Sequence, residues 1–235
     1  MSENFNIIYK SPKGEYLVMA KPGGIPAVPD KTGDRSLLEM VQEKEGRELY
    51  PVHRIDRPVS GLVVFAGSKH SAAQISEAFR NRKVRRLYLA ATESRPEKDD
   101  FELKGWIKKS GTRNRSVFST KEINQGKPAG ATIKYLDSID NYHLLGLVLE
   151  SGRHHQIRAM LQFLKCHVKG DVKYGARRKN KDRSIHLHAW KLILPASLTD
   201  SKPETLTAEL PPDVVWQAFD LEKALKSSAG WEKQA

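Results

Sequence analysis

The alternation of apolar and polar residues marks out the clearest elements. The run Tyr16-Leu17-Val18-Met19 within residues 15–20 reads as a strand, ended by the turn Lys21-Pro22-Gly23-Gly24. Leu37, Leu38 and Val41 recur at helical spacing behind Ser36 and place a short helix over 36–45. The compact run Leu62-Val63-Val64-Phe65 within 61–66 reads as a buried strand. Ala72, Ile75 and Phe79 predict a helix over 69–81, and 86–92 follows as a strand. Residues 131–150 read as two antiparallel strands joined near Asp140-Asn141. A helix over 154–164 carries Ile157, Leu161 and Leu164 on one face, and 185–194 is strand-like again. Strands and helices mix without regular alternation. This predicts an α+β fold with a mixed, mostly antiparallel central sheet flanked by helices and loops. With no internal repeat or low-complexity linker, the expectation is one domain over 1–225 and a disordered tail over 226–235.

Charge changes the picture. The chain has 235 residues, and 40 Lys and Arg against 28 Asp and Glu leave a formal net charge of +12. Such an excess favours a polyanionic partner, because phosphate neutralisation by Lys and Arg releases counterions. Cys166 is the only cysteine, so an intrachain disulfide and a cysteine-rich zinc site are both excluded. Residues 1–10 lack the apolar stretch of a signal peptide, and no apolar run reaches bilayer length. The expectation is a cytoplasmic protein without membrane contact.

Three polar clusters are candidates for chemistry. In His53-Arg54-Ile55-Asp56-Arg57-Pro58-Val59-Ser60-Gly61, an aspartate stands between two arginines, whose charge favours the carboxylate over the acid. Such a carboxylate can act as nucleophile or base, and an ordinary ion-paired loop has the same spacing. Ser151-Gly152-Arg153-His154-His155-Gln156-Ile157-Arg158 is a turn entering a helix, with Arg158 about one turn inside, within reach of a carboxylate on another element. Gly170-Asp171-Val172-Lys173-Tyr174-Gly175 is a turn followed by a basic stretch over 177–183, which suits either phosphates or solvent. His154/His155 and His186/His188 raise a metal site, but no His-Glu-x-x-His helix and no third carboxylate ligand accompany them.

Together these stretches resemble the RluA family of pseudouridine synthases. His53-Arg54-Ile55-Asp56 followed by Ser60-Gly61-Leu62 is similar to the family's His-Arg-Leu-Asp-x-x-Thr-Ser-Gly-Leu motif. Val84 to Ala90 resembles its Lys-x-Tyr-x-Ala strand, with Arg86 at the Lys position and Tyr88 at the Tyr. Gly152-Arg153 with His155-Gln156-Ile157-Arg158 resembles Gly-Arg-Thr-His-Gln-Ile-Arg. Gly170-Asp171 with Tyr174-Gly175, Leu187-His188-Ala189 and the turn Lys21-Pro22-x-Gly24 complete six matches in family order over roughly residues 15–195. Val59 stands where the family has Thr, His154 where Thr or Ser is common, Met160 where His is frequent, and Lys165-Cys166-His167 replaces a Gly-x-Pro turn.

The resemblance implies a pseudouridine synthase fold without an S4-type RNA-binding domain, and an isomerase acting on uridines of tRNA or rRNA. It implies Asp56 as nucleophile, Arg158 paired with Asp56, and Tyr88 stacked on the base, where it helps remove the C5 proton. Substrate contacts are implied for His53, Arg54, Arg57, Arg86, His155, Gln156 and Ile157. The reaction has no redox step, so no cofactor and no metal are expected, and the protein is expected to work as a monomer. The alternatives are a non-catalytic RNA-binding protein of the same fold and a histidine-based metallohydrolase.

Overall fold

The structure is a computed structural model and describes residues 5–111, 114–199, 202–227 and 231. The chain forms two compact units. One holds the residues up to Arg86 together with Asp182–Ser184 and His188–Pro211; the other holds Leu87–Lys181, Ile185–Leu187 and the chain from Pro212 onward.

In the first unit the chain runs through β1 (Asn6–Lys10), β2 (Tyr16–Lys21), α1 (Leu37–Glu45), the two-residue β3 (Tyr50–Pro51), β4 (Ser60–Ala66) and α2 (Lys69–Arg80). It returns to this unit in β10 (Leu187–Leu194) and β11 (Glu204–Thr207). β4 is the hub. All seven of its residues are buried, and it pairs antiparallel with β2 and β3 and parallel with β10. α1 starts where its capping box dictates, with Ser36 and Glu39 exchanging side-chain and backbone bonds, and it ends on Gly46 at φ 63°. α2 starts from a reciprocal Ser68/Ser71 cap. Its Ile75 and Ala78 pack on Val18, Leu62, Val64, Leu192 and Leu194, one face of the sheet.

The second unit is a meander of long antiparallel strands. β5 (Arg85–Thr92) pairs with β9 (Tyr142–Leu149), β9 with β8 (Lys127–Ile139), β8 with β6 (Asp100–Ser110), and β6 with β7 (Arg115–Ser119). The β8–β9 turn falls at Asp140, whose φ of 45° is the left-handed conformation that such a tight turn needs. α3 (Gln156–Phe163), a single 3₁₀ turn at Val172–Tyr174, α4 (Val214–Ala218) and α5 (Leu221–Ser227) complete the unit.

The mixed, mostly antiparallel α+β reading holds. Two differences are local. The helix expected from residue 154 begins at Gln156, because His155 adopts φ 53° and cannot continue a right-handed turn. The strand expected from 185 begins at Leu187. β6 and β7 were not read from the pattern, although Leu103, Gly105 and Ile107 alternate with exposed or half-exposed Glu102, Lys104, Trp106 and Lys108. Of the expected tail over 226–235, Lys226 and Ser227 lie in α5 and Trp231 is buried against Gly146, where an added Cβ would meet the indole at 2.7 Å. Residues 228–230 and 232–235 lie outside those described.

Candidate active site

Asp56 sits in the irregular segment between β3 and β4. Val59 N–H donates to the Asp56 carbonyl at 3.0 Å and closes a turn, while the flanking Ile55 and Val59 are buried and peg the loop to the core. This leaves Asp56 half-buried and Arg54 exposed. The underside is held by Lys21 at the end of β2. Its ammonium donates to the carbonyls of Pro22 at 2.7 Å, Ile25 at 2.9 Å and Arg57 at 3.0 Å. Gly24 and Arg57 add a reciprocal pair, Gly24 N–H to the Arg57 carbonyl and Arg57 Nε to the Gly24 carbonyl, each at 2.9 Å. Arg57 also donates to Thr32 Oγ1 at 2.8 Å and pairs with Asp34. The Lys-Pro-x-Gly turn and the aspartate loop are thus one braced assembly. Burial pushes the Lys21 ammonium down to about 7, against the opposing pull of the Asp56 carboxylate and with further lowering by Arg57.

His53 and Arg86 meet on the same side of this unit. His53 Nε2 accepts the Val64 N–H of β4 at 3.0 Å, and its ring stacks on Phe79 with centroids 4.5 Å apart. Burial, followed by the Arg86 charge, lowers the imidazole to about 3, so it is neutral. The Arg86 guanidinium lies 5.7 Å from the Phe79 ring. Where β4 meets β10, Ser60 Oγ and His188 Nδ1 are 2.8 Å apart, and burial brings His188 down to about 4. Gly61 at φ 112° is required here, because a Cβ would fall 2.2 Å from the Ala189 carbonyl oxygen.

The second unit carries Tyr88 and Arg158. Tyr88 is buried on β5 opposite Leu147 of β9. Arg158 is the third residue of α3 and only 4% exposed. Its Nε donates to Asp171 Oδ2 at 2.6 Å and its Nη2 to Asp171 Oδ1 at 2.7 Å, and its guanidinium lies 4.8 Å from the Tyr174 ring. Gln156 braces the approach to the helix: Nε2 donates to the Gly130 carbonyl at 3.0 Å, and Oε1 accepts from Ser151 Oγ at 2.8 Å and from Arg153 N–H at 3.0 Å. Ile157 is buried, and His155 faces Tyr174 Oη through Nδ1 at 2.8 Å.

The candidates therefore fall into two groups. The first unit holds His53, Arg54, Asp56, Arg57 and Arg86, with Lys21 bracing the aspartate loop; the second holds Tyr88, His155, Gln156, Ile157 and Arg158, where Tyr174 touches His155 and Arg158 and Asp171 pairs with Arg158. Lys21, Asp171 and Tyr174 were not among the expected site residues. Their motifs were visible, but nothing in the linear sequence shows that Asp171 grips Arg158 thirteen residues back. Among the described residues no three His, Cys, Asp or Glu side chains are grouped as metal ligands. His186 has Asn180 Nδ2 at 3.1 Å from Nδ1 and Asp213 Oδ1 at 3.1 Å from Nε2, and stacks on Trp216. No helix among the described residues is long and apolar enough to cross a membrane.

Residues 15–163 match the family model of the RNA pseudouridylate synthases. The chain belongs to that family. The ribosomal large subunit pseudouridine synthase C of Rickettsia bellii is 32% identical over 71% of this chain and 56% of its own length. The chain thus spans little more than half of that relative. The tRNA pseudouridine synthase C of Vibrio cholerae is 28% identical over 97% of this chain and 96% of its own. Among solved structures, human RNA pseudouridylate synthase domain containing 4 superposes with a TM-score of 0.71 at 25% identity, covering 94% of this chain and 92% of that one. The span of the RNA pseudouridylate synthase match takes in Asp56, Tyr88 and Arg158, while Asp171, Tyr174 and His188 lie beyond it.

Proposed function

We propose that this chain isomerises uridine to pseudouridine in RNA, with Asp56 as nucleophile, Tyr88 against the base and Arg158 as the cation serving Asp56. The observation that carries the reading is the match to the RNA pseudouridylate synthases over residues 15–163, which includes all three motif residues. In this chemistry the uracil is detached from C1′, turned and rejoined through C5, with loss of the C5 proton. No atoms are gained or lost overall, so no cofactor or metal is needed. Asp56 is the group to attack. Arg158 is assigned the role of keeping that carboxylate ionised. Tyr88 stacks on the uracil and takes part in removing the C5 proton.

The target nucleotide must leave its stack to reach such a carboxylate, at a cost of a few kcal/mol. Exposed Arg54 on the aspartate loop and the exposed Arg177, Arg178, Lys179 and Lys181 supply positive charge to offset it, in keeping with the net charge of +12. His53, Arg57 and Gln156 act one step back. Their hydrogen bonds to Val64, Gly24 and Gly130 suit bracing of the loops that contact RNA. We propose tRNA as the first substrate class to try, because the relative that shares nearly its whole length with this chain is named a tRNA pseudouridine synthase. The rRNA of the large subunit is the other candidate, from the name of the Rickettsia relative. The cytoplasm and a monomer are the setting and state that fit this reading. The test is carbodiimide adduct mapping of tRNA and rRNA incubated with the protein. A new stop at a discrete uridine supports the reading, and unchanged maps for both RNA classes refute it.

A further inference from the structure

Tyr174 holds an unusual position for a residue outside the proposed catalytic set. It is 1% exposed, and its hydroxyl is 2.7 Å from the Ser116 N–H of β7 and 2.8 Å from His155 Nδ1. Its ring has the Arg158 guanidinium at 4.8 Å and that of Arg115 at 4.9 Å, both within cation–π range. The His155 ring meets it edge to face at 5.5 Å. One tyrosine therefore touches both functional side chains at the start of α3.

The hydrogen-bond roles follow from what each group can do. A backbone N–H can only donate, so the Tyr174 hydroxyl accepts from Ser116, which leaves its own hydrogen available to His155 Nδ1. With that hydrogen given to Nδ1, His155 carries its own on Nε2. The neighbouring ring has the opposite arrangement. Ser116 Oγ donates to the His154 carbonyl at 2.7 Å, so at 2.9 Å it accepts from His154 Nδ1–H. The two imidazoles stack with centroids 3.8 Å apart. His155 is also held at φ 53°, a conformation that a non-glycine residue keeps only when its surroundings fix it. The Tyr174 hydroxyl and the stacked His154 ring are among the contacts that hold it there.

We infer that Tyr174 is a positioning residue: its hydroxyl fixes the Nε2–H tautomer of His155 and its ring steadies the Arg158 guanidinium, so that both arrive preset for the RNA. This inference rests on the reading of Arg158 as part of the catalytic set. Tyr174→Phe removes the hydroxyl and leaves the ring; Tyr174→Leu removes both.

The test combines two readouts on the full chain. ¹⁵N spectra of the imidazoles, taken well above the imidazole titration range and assigned with His155→Gln, report the tautomer. Single-turnover pseudouridine formation at saturating tRNA reports the rate. Wild type is expected to show His155 protonated on Nε2, and Tyr174→Phe to lose that preference and slow about tenfold with tRNA affinity unchanged. Tyr174→Leu is expected to slow by about 100-fold, because Arg158 loses its platform as well. A wild-type His155 protonated on Nδ1, or a Tyr174→Phe protein with the wild-type spectrum and rate, overturns the inference. A Leu variant no slower than the Phe variant overturns the role of the ring. If instead Arg158→Lys turns over as wild type does, the catalytic reading of Arg158 fails, and this outcome is distinct from the others.

Discussion

Arg158 and Asp171 form a two-pronged ion pair, with N···O distances of 2.6 and 2.7 Å and exposures of 4% and 1%. A fork of this kind fixes the plane of the guanidinium as well as its charge. Asp171 occupies the Nε and Nη2 side, and Tyr174 covers one face. The same pair has a structural side, since a buried charge is tolerated only with its partner.

Asp171→Asn keeps the shape and removes the charge. It is expected to lower the single-turnover rate by about 10- to 100-fold at unchanged tRNA affinity. Asp171→Ala leaves a buried cation uncompensated and is expected to cost about 3–5 kcal/mol of stability, measured by urea unfolding.

Lys21→Met keeps the length of the side chain and removes the three bonds to the carbonyls of Pro22, Ile25 and Arg57. The loss is expected to be about 2–4 kcal/mol in stability, since three part-buried carbonyls lose a donor. Turnover falls with it, because the aspartate loop hangs from Arg57. Hydrogen exchange at Gly24 and Val59, whose N–H groups close this assembly, is expected to rise ahead of the rest of the protein.

Acid weakens the first unit through its histidines. The ordinary imidazole value is 6.5, and burial holds His188 near 4 and His53 near 3 in the folded state. The unfolded chain therefore binds more protons than the folded one between about 6.5 and 3. Stability is fully present above 6.5 and falls as the pH drops through that window. For His188 the loss is at most roughly 3 kcal/mol, because one pH unit of displacement is worth about 1.4 kcal/mol. Urea midpoints at pH values across that window measure this, and His188→Gln is expected to flatten the curve.

Gly61→Ala places a Cβ 2.2 Å from the Ala189 carbonyl oxygen at φ 112°. It is expected to cost more than about 3 kcal/mol, because both the clash and the backbone conformation oppose it. Thermal unfolding measures the shift, and Gly33→Ala, which shares a positive φ of 73° with nothing within 4 Å, separates strain from clash.

What was legible in the sequence follows from where the information is local. α1 and β4 were readable because the apolar spacing of Leu37, Leu38 and Val41 and the run from Leu62 to Phe65 are themselves the buried surfaces. β6 escaped because its buried set, Leu103, Gly105 and Ile107, is diluted by a glycine and flanked by lysines. α3 starts two residues later than the spacing predicts because His155 is left-handed, and one of its contacts is Tyr174, nineteen residues further on. The motif residues could be named from the chain, but the bonds of Lys21, Asp171 and Tyr174 join distant segments that no spacing rule connects. His53, Arg57 and Gln156 are expected substrate contacts by resemblance, and the hydrogen bonds they also make to backbone are not legible in the linear pattern.

The account turns on Asp56. Tritium at C5 of uridine is exchanged for solvent hydrogen when pseudouridine forms, so its release from labelled tRNA and rRNA reports the proposed chemistry directly. The prediction is release by wild type and none by Asp56→Asn, with RNA affinity retained in the variant. Release by Asp56→Asn at the wild-type rate would contradict the assignment of the nucleophile, and no release by wild type from either RNA would contradict the reaction itself.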